Sequence, residues 1–202
     1  MSTCDCHIEA KTAGERKTLT IALVLNAGMF VVDMAGGILG QSTGLIADSL
    51  DMLADASAYG IALVAIRRTA VFKAKAAFLS GAILLALGLG AVGEVIRRAI
   101  FGSEPVGPIM LVTAALALAV NATVLKLLSK HRSGEVHLRA TWIFTRADVV
   151  ANLGVIAAGA LVLLSRSRFP DLVVGLAIGL YVIKEALEIL REARAARKGL
   201  AV

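Results

Sequence analysis

Gly44-Leu-Ile-Ala-Asp48-Ser-Leu-Asp51-Met-Leu-Ala-Asp55 sets three carboxylates in a stretch otherwise apolar enough to cross a bilayer. At i, i+3 and i+7 they share one face of a helix. An ionised carboxylate in hydrocarbon is costly, so a cluster of three implies that something occupies or crosses that face. A metal cation is the leading candidate.

The rest of the chain agrees with a membrane setting. It is 202 residues long, 58% hydrophobic, with a mean hydropathy of +0.82. Polar residues gather in short blocks between long apolar runs, which is the pattern of a polytopic helical membrane protein. Six spans are predicted, at 18–40, 44–66, 76–96, 106–128, 140–164 and 172–190. Each has about the 20 residues that a helix needs to cross. Breaks fall at Gln41–Gly44, Gly102-Ser-Glu-Pro105 and Arg166–Asp171. The expected fold is therefore all-α, a six-helix transmembrane bundle spanning 18–190. A polar tail, 1–17, precedes it and a short basic tail, 191–202, follows it.

Lys and Arg set the expected orientation. They crowd the N-terminal tail (Lys11, Arg16, Lys17), the second connection (Arg67, Arg68, Lys73, Lys75), the fourth (Lys130, Arg132, Arg139) and the C-terminal tail from Arg191 to Lys198. The odd-numbered connections hold only Arg97, Arg98, Arg166 and Arg168. The positive-inside rule then puts both termini in the cytoplasm of a cell whose inner membrane holds the protein. The opening 17 residues lack the form of a cleaved signal peptide, so the first span is expected to stay attached. The net charge of +6 does not imply nucleic acid, because the basic residues flank apolar segments and form no aromatic-laced patch.

Asp51 and Asp55 stand four apart, and Asp148 lies in the fifth span with Asn152 one turn on. Asp55 falls about 16 Å below the outer end of its helix and Asp148 about 12 Å above the inner end of its own, at 1.5 Å per residue. In a core of about 30 Å those depths nearly coincide. A site shared by spans two and five follows, with Asp51, Asp55 and Asp148 as metal ligands. Asn121 is expected to hydrogen-bond between helices, with Asn26 and Asp33 divided between that role and the site. Glu94 is expected to pair with Arg97 and Arg98, and Lys184, Glu185 and Glu188 to form a solvated or snorkelling face. The glycines at 36, 37, 88, 90, 175 and 179 read as close helix contacts within one chain.

These residues resemble the cation diffusion facilitator family. The likeness rests on Asn26, Asp33, Gly36 and Gly37, on Ser42 through Asp55, on Glu94-Val-Ile-Arg-Arg, on Asn121 and Leu138-Arg-Ala, and on Asp148-Val-Val-Ala-Asn152-Leu-Gly-Val155. It implies export of divalent transition metals, chiefly zinc with cadmium or cobalt, in exchange for protons. It also implies two ligands four apart on helix two and two on helix five. The earlier ligand of helix five falls here on Phe144, which cannot bind a metal. Water, Asp48, Asn152 and Asn26 are candidates for the fourth place around zinc. An all-oxygen set leaves a harder ion such as manganese open. The family usually continues into a ferredoxin-like cytoplasmic domain. With the sequence ending at Val202, that domain is expected to be lacking, so a homodimer would be made by the transmembrane helices or by the tails.

Ahead of the first span, Cys4-Asp-Cys6-His7 is a soft-ligand cluster suited to capturing zinc, cadmium or Cu(I). A disordered tail with incidental thiols is the plainer account. His131 and His137 fall in the fourth connection, where solvated loop residues explain them. No resident cofactor is expected, only the transported metal, protons and lipid. An enzyme is disfavoured: a CDP-alcohol phosphotransferase would need an Asp-Gly-x-x-Ala-Arg start that is missing. A non-transporting metal sensor or accessory subunit is the alternative function.

Overall fold

The break at Gln41–Gly44 is a helix-terminating turn. Ser42 N–H donates to Gly37 O at 2.9 Å and Gln41 N–H to Ile38 O at 3.3 Å. Gln41 sits at φ 47°. This pair of bonds around a left-handed residue is the arrangement that satisfies the last carbonyls of a helix. It separates α1 (Ala13–Leu39) from α2 (Thr43–Ala65). The remaining helices are α3 (Ala70–Phe101), α4 (Gly107–Ser129), α5 (Val136–Ser165) and α6 (Phe169–Gly199). The computed structural model describes residues 13–65, 69–129 and 136–199, with the side chains of 13, 15, 65, 136–147 and 197–199 outside the description. Cys4, Cys6, His7 and His131 lie outside the described residues, as do the side chains of His137 and Phe144.

The six-helix all-α bundle is as the apolar runs predict. Several helices outrun their spans: α3 starts at Ala70 and α6 continues to Gly199. Backbone hydrogen bonding does not stop where hydrophobicity does. Thr69 caps α3, its Oγ1 accepting from Phe72 N–H at 3.4 Å, as threonine does at a helix start.

The first, third and fifth connections gather at one end of the bundle. Val106 N–H donates to Gly40 O at 2.9 Å, and the Arg168 guanidinium to Ala99 O at 3.3 Å. α1 packs most on α2, α3 on α6 and α4 on α5, and α2 touches all five other helices. The most acidic predicted span is thus the hub. Four helices have stretches long and apolar enough to cross a membrane by composition alone, in α1, α3, α4 and α5. α2 and α6 fall short because of their charged residues, which in α2 turn inward and in α6 stand mostly exposed.

Inside and outside are inverted relative to a soluble protein. Asn26, Asp33, Asp48, Asn121, Asn152 and Asp171 are buried. Val31, Leu79, Phe101, Val112, Leu164 and Val173 stand exposed. An apolar exterior of this kind faces lipid. Close helix contact follows the small residues. A Cβ on Gly37 would lie 2.8 Å from Ile46 N, and one on Gly88 would lie 3.1 Å from the Ile183 side chain. Gly90 departs from the expectation, with nothing within 4 Å of such an atom.

Candidate metal centre

Helix α2 carries Asp48, Asp51 and Asp55 inward along one face. Asp51 is 6% exposed and Asp148, on α5, is 5% exposed. The two lie close enough for each to feel the other's charge. Asp55 lies close enough to Asp148 for the two charges to feel each other, and Tyr59 Oη donates to Asp55 Oδ2 at 3.4 Å. Spans two and five thus bring these carboxylates within each other's field. Asp148 Oδ2 is buried with no hydrogen-bond partner among the described residues. The contacts are pairwise: among the described residues, no three His, Cys, Asp or Glu side chains converge tightly enough to hold one ion.

Glu185 corrects the expected solvated face on α6. It turns toward α2, near enough to Asp51 for the two carboxylates to feel each other's charge. Its charge also bears on Asp55 and Asp148. Packing explains the turn. Ala186 is fully buried against Ala54 and Leu84, which sets this level of α6 against the level of Asp55 on α2. Lys184 and Glu188 do stay outside, 3.7 Å apart. The sequence did hold a signal. Gly175, Ile178 and Val182 form an inward stripe, and the next step of three on that helical face is Glu185.

A second buried polar layer lies beside the first. The Asn152 amide donates to both oxygens of Asp48, at 2.8 and 2.9 Å. Its carbonyl accepts from Asn121 Nδ2 at 3.1 Å. Helices α2, α5 and α4 are thereby joined, in the interhelical role expected of Asn121. Asp33 faces Asp48 electrostatically, and neither Asp33 oxygen has a hydrogen-bond partner among the described residues. Asn26 donates to Ala22 O of its own helix at 2.9 Å. Of the candidates for a fourth ligand, Asp48 and Asn152 are bonded to one another, and Asn26 is bonded to α1 through its nitrogen while its Oδ1 is buried with no partner among the described residues.

The family described as the cation efflux transmembrane domain matches residues 19–196. The chain belongs to the cation efflux family. Within it, the chain is 25% identical over 197 residues to the metal cation efflux system protein CzcD of Cupriavidus metallidurans, covering 92% of this chain and 62% of that protein. It is 28% identical over 195 residues to the zinc transporter ZitB of Pectobacterium atrosepticum, covering 89% and 60%. A cadmium, cobalt and zinc/H(+)-K(+) antiporter of Bacillus velezensis is 22% identical over 191 residues, covering 88% and 61%. The chain spans about three fifths of the length of these relatives. Membership in this transmembrane-domain family, with the apolar helices, makes the chain a multi-pass membrane protein.

One carboxylate of the domain has a different task, which the sequence reading did not find. Asp171, at the start of α6, accepts from Ser42 Oγ at 2.5 Å, Thr43 N–H at 2.7 Å, Thr43 Oγ1 at 2.9 Å and Gly44 N–H at 3.0 Å. It caps α2 from another helix, supplying acceptors and negative charge where a helix start needs both. At the same end of α3, Glu94 holds Arg97 at 2.7 Å and Arg98 at 2.6 Å, the ion pairs the spacing predicts.

Proposed function

We propose that this protein exports divalent transition-metal cations, zinc and cadmium first among them, across the inner membrane in exchange for protons. The observation that carries the reading is the meeting of Asp51 on α2 with Asp148 on α5 inside an apolar bundle. Two buried carboxylates that face each other repel when both are ionised. A divalent cation between them, with Asp55 as a third ligand, removes that repulsion.

Proton coupling follows from the ligand chemistry. A carboxyl group must be deprotonated to bind a metal, so loading releases protons and unloading takes them up. A mid-depth site that opens alternately to each side converts that exchange into antiport. The names of the relatives, two of which specify zinc, support the choice of ion. The basic even-numbered connections support cytoplasmic termini. The Cys4-Asp-Cys6-His7 segment is proposed as a capture arm beside the cytoplasmic entrance.

The test is zinc flux into proteoliposomes holding the full chain and a trapped fluorescent indicator. Uptake should rise several-fold when a pH gradient is imposed with the acid side opposite the zinc. Flux indifferent to that gradient would remove proton coupling. Flux left intact by Asp148→Asn would remove the site itself.

A further inference from the structure

We propose that Glu185 of α6 is the fourth carboxylate ligand of the transported cation, so that the site is built by three helices and not two. The proposal rests on the metal-export reading above and deepens it.

Placement comes first. Ala186 is seated on Ala54 and Leu84, and Val182 is buried in the cluster that contains Leu50. Glu185 is therefore held at the level between Asp51 and Asp55 by packing on both sides of it in the chain. That level puts its carboxylate beside Asp51 and Asp55, whose charges it bears on. The adjoining cation is turned away: the Lys184 side chain is 68% exposed and pairs with Glu188. An acidic group directed at another acidic group, with its own lysine facing outward, is oriented for a cation that is not part of the chain.

An independent observation points to a ligand. Asp148 is 5% exposed, and its Oδ2 has no hydrogen-bond partner among the described residues. A buried carboxylate oxygen left in that condition is costly unless a cation or donor meets it. Zinc takes four ligands in a tetrahedron, and Asp51, Asp55 and Asp148 supply three. Glu185 is a further anionic side chain whose charge reaches all three. Its three side-chain torsions give it the reach to draw the pairwise contacts into one shell.

A ligand from α6 has a mechanical consequence. α6 packs most on α3 and α2 most on α1. An ion held by α2, α5 and α6 therefore links three helix pairs, and any movement of α6 away from α2 opens the site.

The test is zinc titration of the purified full chain in detergent, by calorimetry or by competition with a chelating dye. Glu185→Gln should weaken zinc roughly tenfold or more, as loss of a group from a metal site commonly does. Glu188→Gln should leave affinity unchanged. If Asp51→Asn and Asp148→Asn both bind zinc like the unsubstituted chain, the export site fails and this inference with it. If those two lose binding while Glu185→Gln keeps it, only the role of Glu185 is overturned. Glu185→Cys, in a Cys4→Ser/Cys6→Ser background, covers the case of a poorly folded glutamine variant and separates contact from positioning. A thiolate at 185 on the ion should give a thiolate–cadmium charge-transfer band on adding cadmium. A folded cysteine variant without that band overturns the proposal.

Discussion

Asp171 and Asp148 are the same residue type at nearly the same burial, and their surroundings are opposite. Asp171 is met by two backbone N–H groups and two hydroxyls of the α1–α2 turn. Asp148 is met by the carboxylate of Asp51 and keeps one oxygen without a partner among the described residues. Desolvation penalises both groups alike. Hydrogen bonds to a charged acceptor offset much of it in the first case. In the second they do not, and an external cation is the simplest remedy. Partners, rather than burial, therefore separate an aspartate that ties two helices together from one that the proposed export reading assigns to the cargo.

The largest effects should divide along that line. Asp148→Asn and Asp51→Asn should reduce zinc flux in proteoliposomes about 100-fold or more, as expected when a charged ligand is removed from a transport site. Their thermal melting in detergent should stay level or rise, because replacing an unpaired buried charge relieves repulsion. Asp171→Ala should do the reverse. Several bonds to a charged acceptor are lost, so stability should fall by about 3 kcal/mol. That corresponds to a melting temperature lower by roughly 6–12 °C at this chain length, with flux per folded molecule retained. If all three variants lose flux and melting together, the distinction between the two aspartates is wrong.

How far each member of the comparison was legible follows from the range of its contacts. Asp51, Asp55 and Asp148 announce themselves, because charge inside an apolar run is anomalous on its own. The turn at Gln41 was legible for a similar reason, as a short polar break between two long apolar runs. Asp171 was not, since it sits beside Pro170 at what reads as a simple break, and its partners lie 127 to 129 residues earlier. Glu185 was misread because Lys184 and Glu188 flank it, and three charges near a helix end resemble a solvated face. The burial of Ala186, with the stripe of Gly175, Ile178 and Val182, shows which of the three turns inward. Charge by itself does not say which side of a helix is lined with partners.

A smaller effect tests whether the capped end also keeps the site helices in register. A Cβ on Gly175 would lie 2.6 Å from Thr43 Oγ1 and 2.8 Å from the Thr43 carbonyl carbon. Backbone cannot yield at that distance, so Gly175→Ala should push α6 off the start of α2. The expected cost is about 1–3 kcal/mol, as for other overpacked contacts. If Glu185 and Asp51 share a cation, the same shift should also weaken zinc binding, although Gly175 lies about 15 Å along α6 from Glu185 at 1.5 Å per residue. A lowered melting temperature with zinc affinity unaltered would confine the damage to the capped end.

The smallest effect should come from the layer that is neither fully provided nor bare. Asn152 gives Asp48 its two hydrogen bonds, and Asn121 fixes which way the Asn152 amide points. Asn121→Ala removes only the orienting bond, and such interhelical bonds average about 0.6 kcal/mol within membranes. Asn152→Ala removes both donors from Asp48 and should cost more, about 1–3 kcal/mol, because a buried acceptor is left unmet. The order of the two is the informative result. Were Asn121→Ala the more damaging in thermal melting, the chain of dependence would run the other way, with Asn152 serving α4 and not Asp48. Asp48 would then share the unmet condition of Asp148, and the polar layer beside the site would belong to the cargo path.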